Sequence, residues 1–114
     1  MRRTRGWTDN QYVYFVAQFS KPFQAIDFIQ NKKMVSAGVK LNGTDLQACL
    51  SFDNSNGEPV IAKVGLSIVS EKNARENLET EVIGFDFDAV RSAARSAWEQ
   101  ALSAITVKAA IRTT

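Results

Sequence analysis

Two carboxylate pairs are the residues best spaced to do chemistry: Glu79 with Glu81, and Asp86 with Asp88. Paired carboxylates can act as acid and base across a sugar linkage. On an extended segment Glu79 and Glu81 would share a face, with Cα atoms about 6.8 Å apart. Glutamates of this kind are usually solvated, and that is their expected state. Asp86 and Asp88 have a structural reason to sit where they do. Acids at a helix start accept the free N–H groups and favour the positive end of the dipole. The loop holding Asp53, Asn54, Ser55, Asn56 and Glu58 offers oxygen ligands for calcium, but it lacks the EF-hand spacing and has the composition of a hairpin turn. Cys49 is the only cysteine, so neither an internal disulfide nor a cysteine metal site can form. It lies in the apolar run at 46–52 and reads as a small buried thiol. The chain has 0 histidines, which removes the commonest general base and the commonest zinc ligand. No catalytic, cofactor-binding or metal-binding residue emerges.

These residues sit in a chain of 114 residues, enough for one small domain with a core. It is 45% hydrophobic and 23% charged, an ordinary globular balance. The 14 basic and 12 acidic side chains leave a net charge of +2, too little to attract nucleic acid through the overall field. Arg2, Arg3 and Arg5 ahead of an aromatic strand would suit a single-stranded nucleic acid. The broad basic footprint of such binders is missing, so nucleic acid is not expected as a partner. No run approaches the roughly 20 apolar residues of a membrane span, and the basic N-terminus has no apolar core of a signal peptide.

The elements that must position these groups follow from periodicity. Gln11–Phe19 (QYVYFVAQF) is β-branched and aromatic, a strand apolar on both faces and expected to be covered on both. Ala25–Gln30 is a second strand, with Asn31, Lys32 and Lys33 as its turn. The runs at 46–52 and 60–69 read as a hairpin around the 53–59 insert, and Gly65 marks a bulge or a close backbone approach. Ser70 caps a short helix over about 71–78, with Ala74 and Leu78 facing inward. Residues 79–83 are ambiguous, a short extended link being one reading. A long amphipathic helix then runs from Asp86 or Asp88 to about Ile105, with Val90, Ala94, Ala97, Trp98, Ala101, Leu102 and Ile105 along one stripe. The class is mainly β with C-terminal helices (α+β).

The blocks RGW at 5–7, QxVYFVAQFSKPF at 11–23, GEPVIAKVGLSIVS at 57–70 and NARENLETEVIGFDFDAVRSAARSAWEQAL at 73–102 closely resemble glycoside hydrolase family 92, the bacterial exo-acting α-mannosidases. The resemblance implies an N-terminal β-sandwich joined by a helical linker to an (α/α) catalytic barrel. On that pattern, residues 1–83 are the end of the sandwich, with the short helix included, and 84–106 are the linker helix. It also implies a parent enzyme that hydrolyses terminal α-mannose with inversion and needs calcium. The family's acid, base and calcium ligands lie in the barrel, so no catalytic residue carries over to this chain. Trp7 is the one residue marked for a sugar or domain-interface contact. Residues 107–114 depart from the family, which turns Gly-rich and acidic there. Loss of one G from GGC GGC GAT CAG GAC GAC would give Ala-Ala-Ile-Arg-Thr followed by a Thr codon, as found from Ala109 onward. A reading-frame slip is therefore the expected origin of the tail.

The expected role is a non-catalytic piece of an α-1,2-mannosidase that supports its catalytic barrel. A stand-alone carbohydrate-binding module is the alternative, and it would need an exposed aromatic platform. Members of the family are often periplasmic, cell-surface or secreted. A partial sandwich leaves strand edges and apolar faces uncovered, so self-association through the aromatic strand or the Trp98 stripe is also expected.

Overall fold

Six strands and two helices succeed one another along the chain in the computed structural model, which describes residues 2–4, 10–36, 38 and 40–108. The strands are β1 (Arg2–Thr4), β2 (Gln11–Phe19), β3 (Ala25–Gln30), β4 (Lys33–Val35), β5 (Leu46–Ser51) and β6 (Ala62–Ser67). The helices are α1 (Glu71–Glu81) and α2 (Phe87–Leu102). All described pairings are antiparallel and form two three-stranded sheets, ordered β1-β2-β6 and β4-β3-β5. The mixed α+β class with antiparallel sheets is as the sequence indicates.

The pairing of β5 with β6 is not. Turn residues at 53–59 predict a hairpin between these strands, yet β5 pairs with β3 and β6 pairs with β2. The 53–59 segment is a crossover between sheets. Its turn chemistry is real but local: Asp53 Oδ1 accepts the Ser55 N–H at 2.9 Å, and Asn56 Oδ1 accepts that of Glu58 at 3.1 Å. Gly57 takes φ +71, the left-handed conformation that glycine adopts without penalty. Such turns reverse the chain without choosing its partner strand. The β2–β3 connection crosses between the same sheets, and the two crossovers are tied together. The Ser20 N–H donates to Ile61 O at 2.8 Å, and Lys21 Nζ donates to Asn54 Oδ1 and Glu58 O, both at 3.2 Å. Phe52 packs between Phe19 (ring centroids 5.3 Å) and Phe23 (6.4 Å, edge-on). A tight hairpin does form at β3–β4, turned by Asn31 and Lys32 alone, at φ 51 and 64; Lys33 belongs to the returning strand.

Alternation along β5 corrects the reading of Cys49. Cys49 shares a face with Gln47 and Ser51 and stands opposite Asp27, so the thiol is exposed. The apolar face of that sheet carries Ile26, Phe28, Ala48 and Leu50. β2 is also not covered on both faces. Helix α1 packs against β2 and β6 on one side, while Phe15, Val64 and Leu66 on the other remain more than half exposed.

The only fully buried apolar side chains among the described residues are Ala74 and Leu78, both on α1. Ser70 N-caps this helix, with Oγ accepting the Asn73 N–H at 3.0 Å, as its sequence position implies. The helix continues to Glu81, past residue 78, so most of the expected 79–83 link is helical. Asp86 caps α2 by accepting the Ala89 N–H at 3.0 Å, and Asp88 lies in the first turn. Helix α2 ends at Leu102, short of Ile105, and none of its residues is buried.

Candidate functional site

The residues singled out for chemistry do not converge. Glu79 and Glu81 both lie on α1, where residues two apart point in divergent directions, so the extended-strand spacing of a carboxylate pair does not arise. Asp86 is occupied as a cap. In the 53–58 loop one side-chain oxygen each of Asp53, Asn54 and Asn56 accepts a hydrogen bond, and the Lys21 ammonium bonds Asn54 Oδ1 and Glu58 O. The Ser55 N–H, then its hydroxyl, and then Lys21 hold the Asp53 carboxyl below its ordinary value. Among the described residues no three His, Cys, Asp or Glu side chains are grouped to hold a metal. Trp7, marked for a sugar or interface contact, lies outside the described residues, as do residues 109–114 of the tail.

What the fold does build with care is the seat of α1. Along β6, Lys63, Gly65 and Ser67 face the helix. Gly65 lets the helix backbone approach. A Cβ placed there would run into the carbonyl oxygen of Ala74 and come within 2.7 Å of the Leu78 Cβ. Ser67 is buried, at 8% exposure, and is the hub of the β6–α1 turn. Its hydroxyl donates to Asn73 Oδ1 at 2.8 Å and accepts the Val69 N–H at 2.9 Å. Asn77 Nδ2 donates to Leu66 O at 2.9 Å, tying the helix to the strand's outer edge. At the far end, Lys63 Nζ donates to Val82 O at 3.0 Å and lies 4.5 Å from the centre of the Phe85 ring. Gly84, at φ +74, then turns the chain toward α2. A mostly apolar cleft of about 230 Å³ opens beside this turn, lined by Ile61, Val64, Phe85, Phe87 and Val90 among others.

Replacing Ser67 with alanine is expected to lower stability by about 1–3 kcal/mol, because the Val69 N–H and Asn73 Oδ1 lose a partner at a buried position. The urea midpoint measures this, and a change within experimental error would show that Ser67 is not the hub of this turn.

Two family profiles match the chain in order: the glycosyl hydrolase family 92 N-terminal domain over residues 1–67, and the family 92 catalytic domain over residues 73–114. The chain belongs to glycosyl hydrolase family 92. A solved structure of a family 92 α-mannosidase from Bacteroides thetaiotaomicron aligns over 93% of the chain, with TM-score 0.77 and 35% identity. The same enzyme in complex with mannoimidazole aligns with TM-score 0.76 and 35% identity. A curated relative, an uncharacterized secreted glycosidase of Arthroderma benhamiae, is 39% identical over 82 residues, 67% of the chain. The chain spans only 15% of the solved α-mannosidase and 11% of the secreted glycosidase.

Set on the structure, the family 92 profiles meet at the turn between β6 and α1. The seat of α1 therefore joins a strand matched by one family domain to a helix matched by the next. The sequence flags Gly65 and the Ser70 cap, but it gives less notice of Ser67, Asn77 and Lys21. The signal that could have found Ser67 is the alternation Lys63, Gly65, Ser67 within an otherwise apolar run, which marks a face that receives something other than apolar side chains.

Proposed function

We propose that this chain is the domain junction of a secreted family 92 α-mannosidase, and that it holds the catalytic barrel in place without contributing catalytic residues. The observation that carries this reading is the seat of α1. Leu78 and Ala74 are buried on Gly65, and four side chains, Ser67, Ser70, Asn77 and Lys63, hydrogen-bond across or around that contact. A helix fixed in this way leaves little freedom at the boundary, so the segment C-terminal to it is aimed rather than tethered. On this reading α2 is the linker that enters the barrel. Terminal α-mannosides are the substrates of the whole enzyme, and the calcium expected of the family belongs to the barrel, since the oxygen-rich loop of this chain is closed by its own hydrogen bonds. Secretion is supported by the curated relative, itself called a secreted glycosidase. Among the described residues no helix is long and apolar enough to cross a membrane.

The test is a pair of assays. The purified 114-residue chain is expected to release no aryl alcohol from an aryl α-mannoside and no heat on titration with mannose. Turnover would end the claim that it lacks catalytic residues, and clear mannose binding would favour a carbohydrate-binding module.

A further inference from the structure

We propose that Asn42 is a site of spontaneous deamidation through the nitrogen of Gly43, while the other Asn-Gly pair, Asn56 and Gly57, is held back by its own turn. This is a covalent modification of the chain itself and goes beyond the junction role.

Asparagine followed by glycine is the pair in which the backbone most readily attacks the side-chain amide, because glycine has no Cβ to crowd the nitrogen. The Gly43 N–H gives its proton to hydroxide, and the nitrogen bonds to Asn42 Cγ. The side-chain nitrogen leaves as ammonia after taking a proton from water, which restores the hydroxide. Water then opens the cyclic imide. Cleavage between Gly43 N and Cγ gives aspartate. Cleavage between Gly43 N and the main-chain carbonyl carbon of residue 42 gives isoaspartate, which routes the backbone through the side chain.

Both pairs are exposed, so water and hydroxide reach both. Hydrogen bonding tells them apart. The Gly57 N–H donates to Asn54 O at 3.0 Å, and Asn56 Oδ1 accepts the Glu58 N–H at 3.1 Å. The first bond occupies the proton that has to leave, and the second holds the amide that has to react. Both have to open before the imide ring closes. At the other pair, neither the Gly43 N–H nor the Asn42 side chain has a hydrogen-bond partner among the described residues. The fold also requires the glycine that makes this pair labile. Gly43 takes φ +150, and the side-chain amide of Gln30 fills the place a Cβ would need. The segment that leads into β5 therefore keeps a reactive pair that no other residue can replace without strain.

Incubation of the purified chain at mildly alkaline pH tests this, with peptide mapping by mass spectrometry to read the exchange of NH2 for OH at each asparagine. A parallel sample is held in concentrated urea. In the native chain Asn42 is expected to convert about tenfold faster than Asn56, the protection that two ordinary hydrogen bonds supply. In urea the two rates are expected to converge, because the reacting pair is the same. Asn42→Gln is expected to abolish the early conversion and leave that of Asn56 unchanged. Equal native rates, or faster conversion at Asn56, overturn the proposal. So does an Asn42 that stays intact in the native chain while converting in urea. A gap of the same size in urea also overturns it, since flanking residues and not the turn would then set the order. None of these readouts depends on mannoside hydrolysis, so the junction reading stands or falls separately.

Discussion

Gly65→Val is expected to lift α1 from the sheet and cost the chain about 3 kcal/mol, the upper part of the range for overpacking a close contact. Two obstacles meet the added side chain. One is the Ala74 carbonyl oxygen, which is helix backbone and cannot rotate away; the other is the Leu78 Cβ, 2.7 Å from an ideal Cβ at position 65. Relief requires the helix to retreat, and retreat breaks the Asn77 bond to Leu66 O and exposes the only fully buried apolar residues among those described. Domains of this size are stable by about 5–15 kcal/mol, so the loss is a large share. Gly38→Ala is the control, since nothing lies within 4 Å of its added Cβ. Urea unfolding should shift sharply for Gly65→Val and stay within about 0.5 kcal/mol for Gly38→Ala. Equal midpoints for the two would show that α1 does not depend on this approach.

The elements were largely legible because each is written in local residues. QYVYFVAQF has no helix period, Ser70 and Asp86 stand where helix N–H groups need acceptors, and Gly65 interrupts an apolar run for a reason that α1 supplies. Pairing was not legible. The 53–59 insert has ideal turn residues, and those residues do form turns, but a turn between sheets and a turn within a hairpin need the same φ values and the same Asx bonds. The choice is made by contacts far apart in sequence, such as Ser20 with Ile61 and Phe19 with Phe52. Burial was illegible at Cys49 for a related reason. It sits in an apolar run, but a strand has two faces, and its parity puts it with Gln47 and Ser51.

The spacing that would pair the two glutamates is lost through one element boundary. Glu79 and Glu81 align only if residues 79–83 are extended, and α1 instead continues to Glu81. Val82 closes the helix, with its N–H on Leu78 O at 3.0 Å. Nothing in ETEVIG sets the period, since Glu favours a helix while Thr, Val and Ile favour a strand. The burial of Leu78 decides it, because the helix must persist through that residue's turn to hold it against Gly65. The resemblance to family 92 supplied what local physics could not: a reason for a helix with an apolar stripe and no partner.

Size alone would rank Trp98 above Leu78 as an anchor, and the structure reverses that order. Leu78 is 2% exposed, whereas Trp98 is 68% exposed. Leu78→Ala removes methyl groups from the best-closed contact among the described residues and leaves a void between α1 and β6, which costs about 2–5 kcal/mol. Because α1 is also secured by Ser67, Asn77 and Lys63, part of the void can close by small shifts, so about 3 kcal/mol is the expected loss. Trp98→Ala deletes a side chain that touches little within its own chain. At concentrations where the chain is monomeric it is expected to change the unfolding free energy by no more than about 0.5 kcal/mol. Urea unfolding at low concentration, followed by far-UV circular dichroism, separates the two. If Trp98→Ala costs as much as Leu78→Ala under those conditions, α2 is packed within the monomer and is not a free helix. If Leu78→Ala is silent, α1 is not the clamp that fixes the junction.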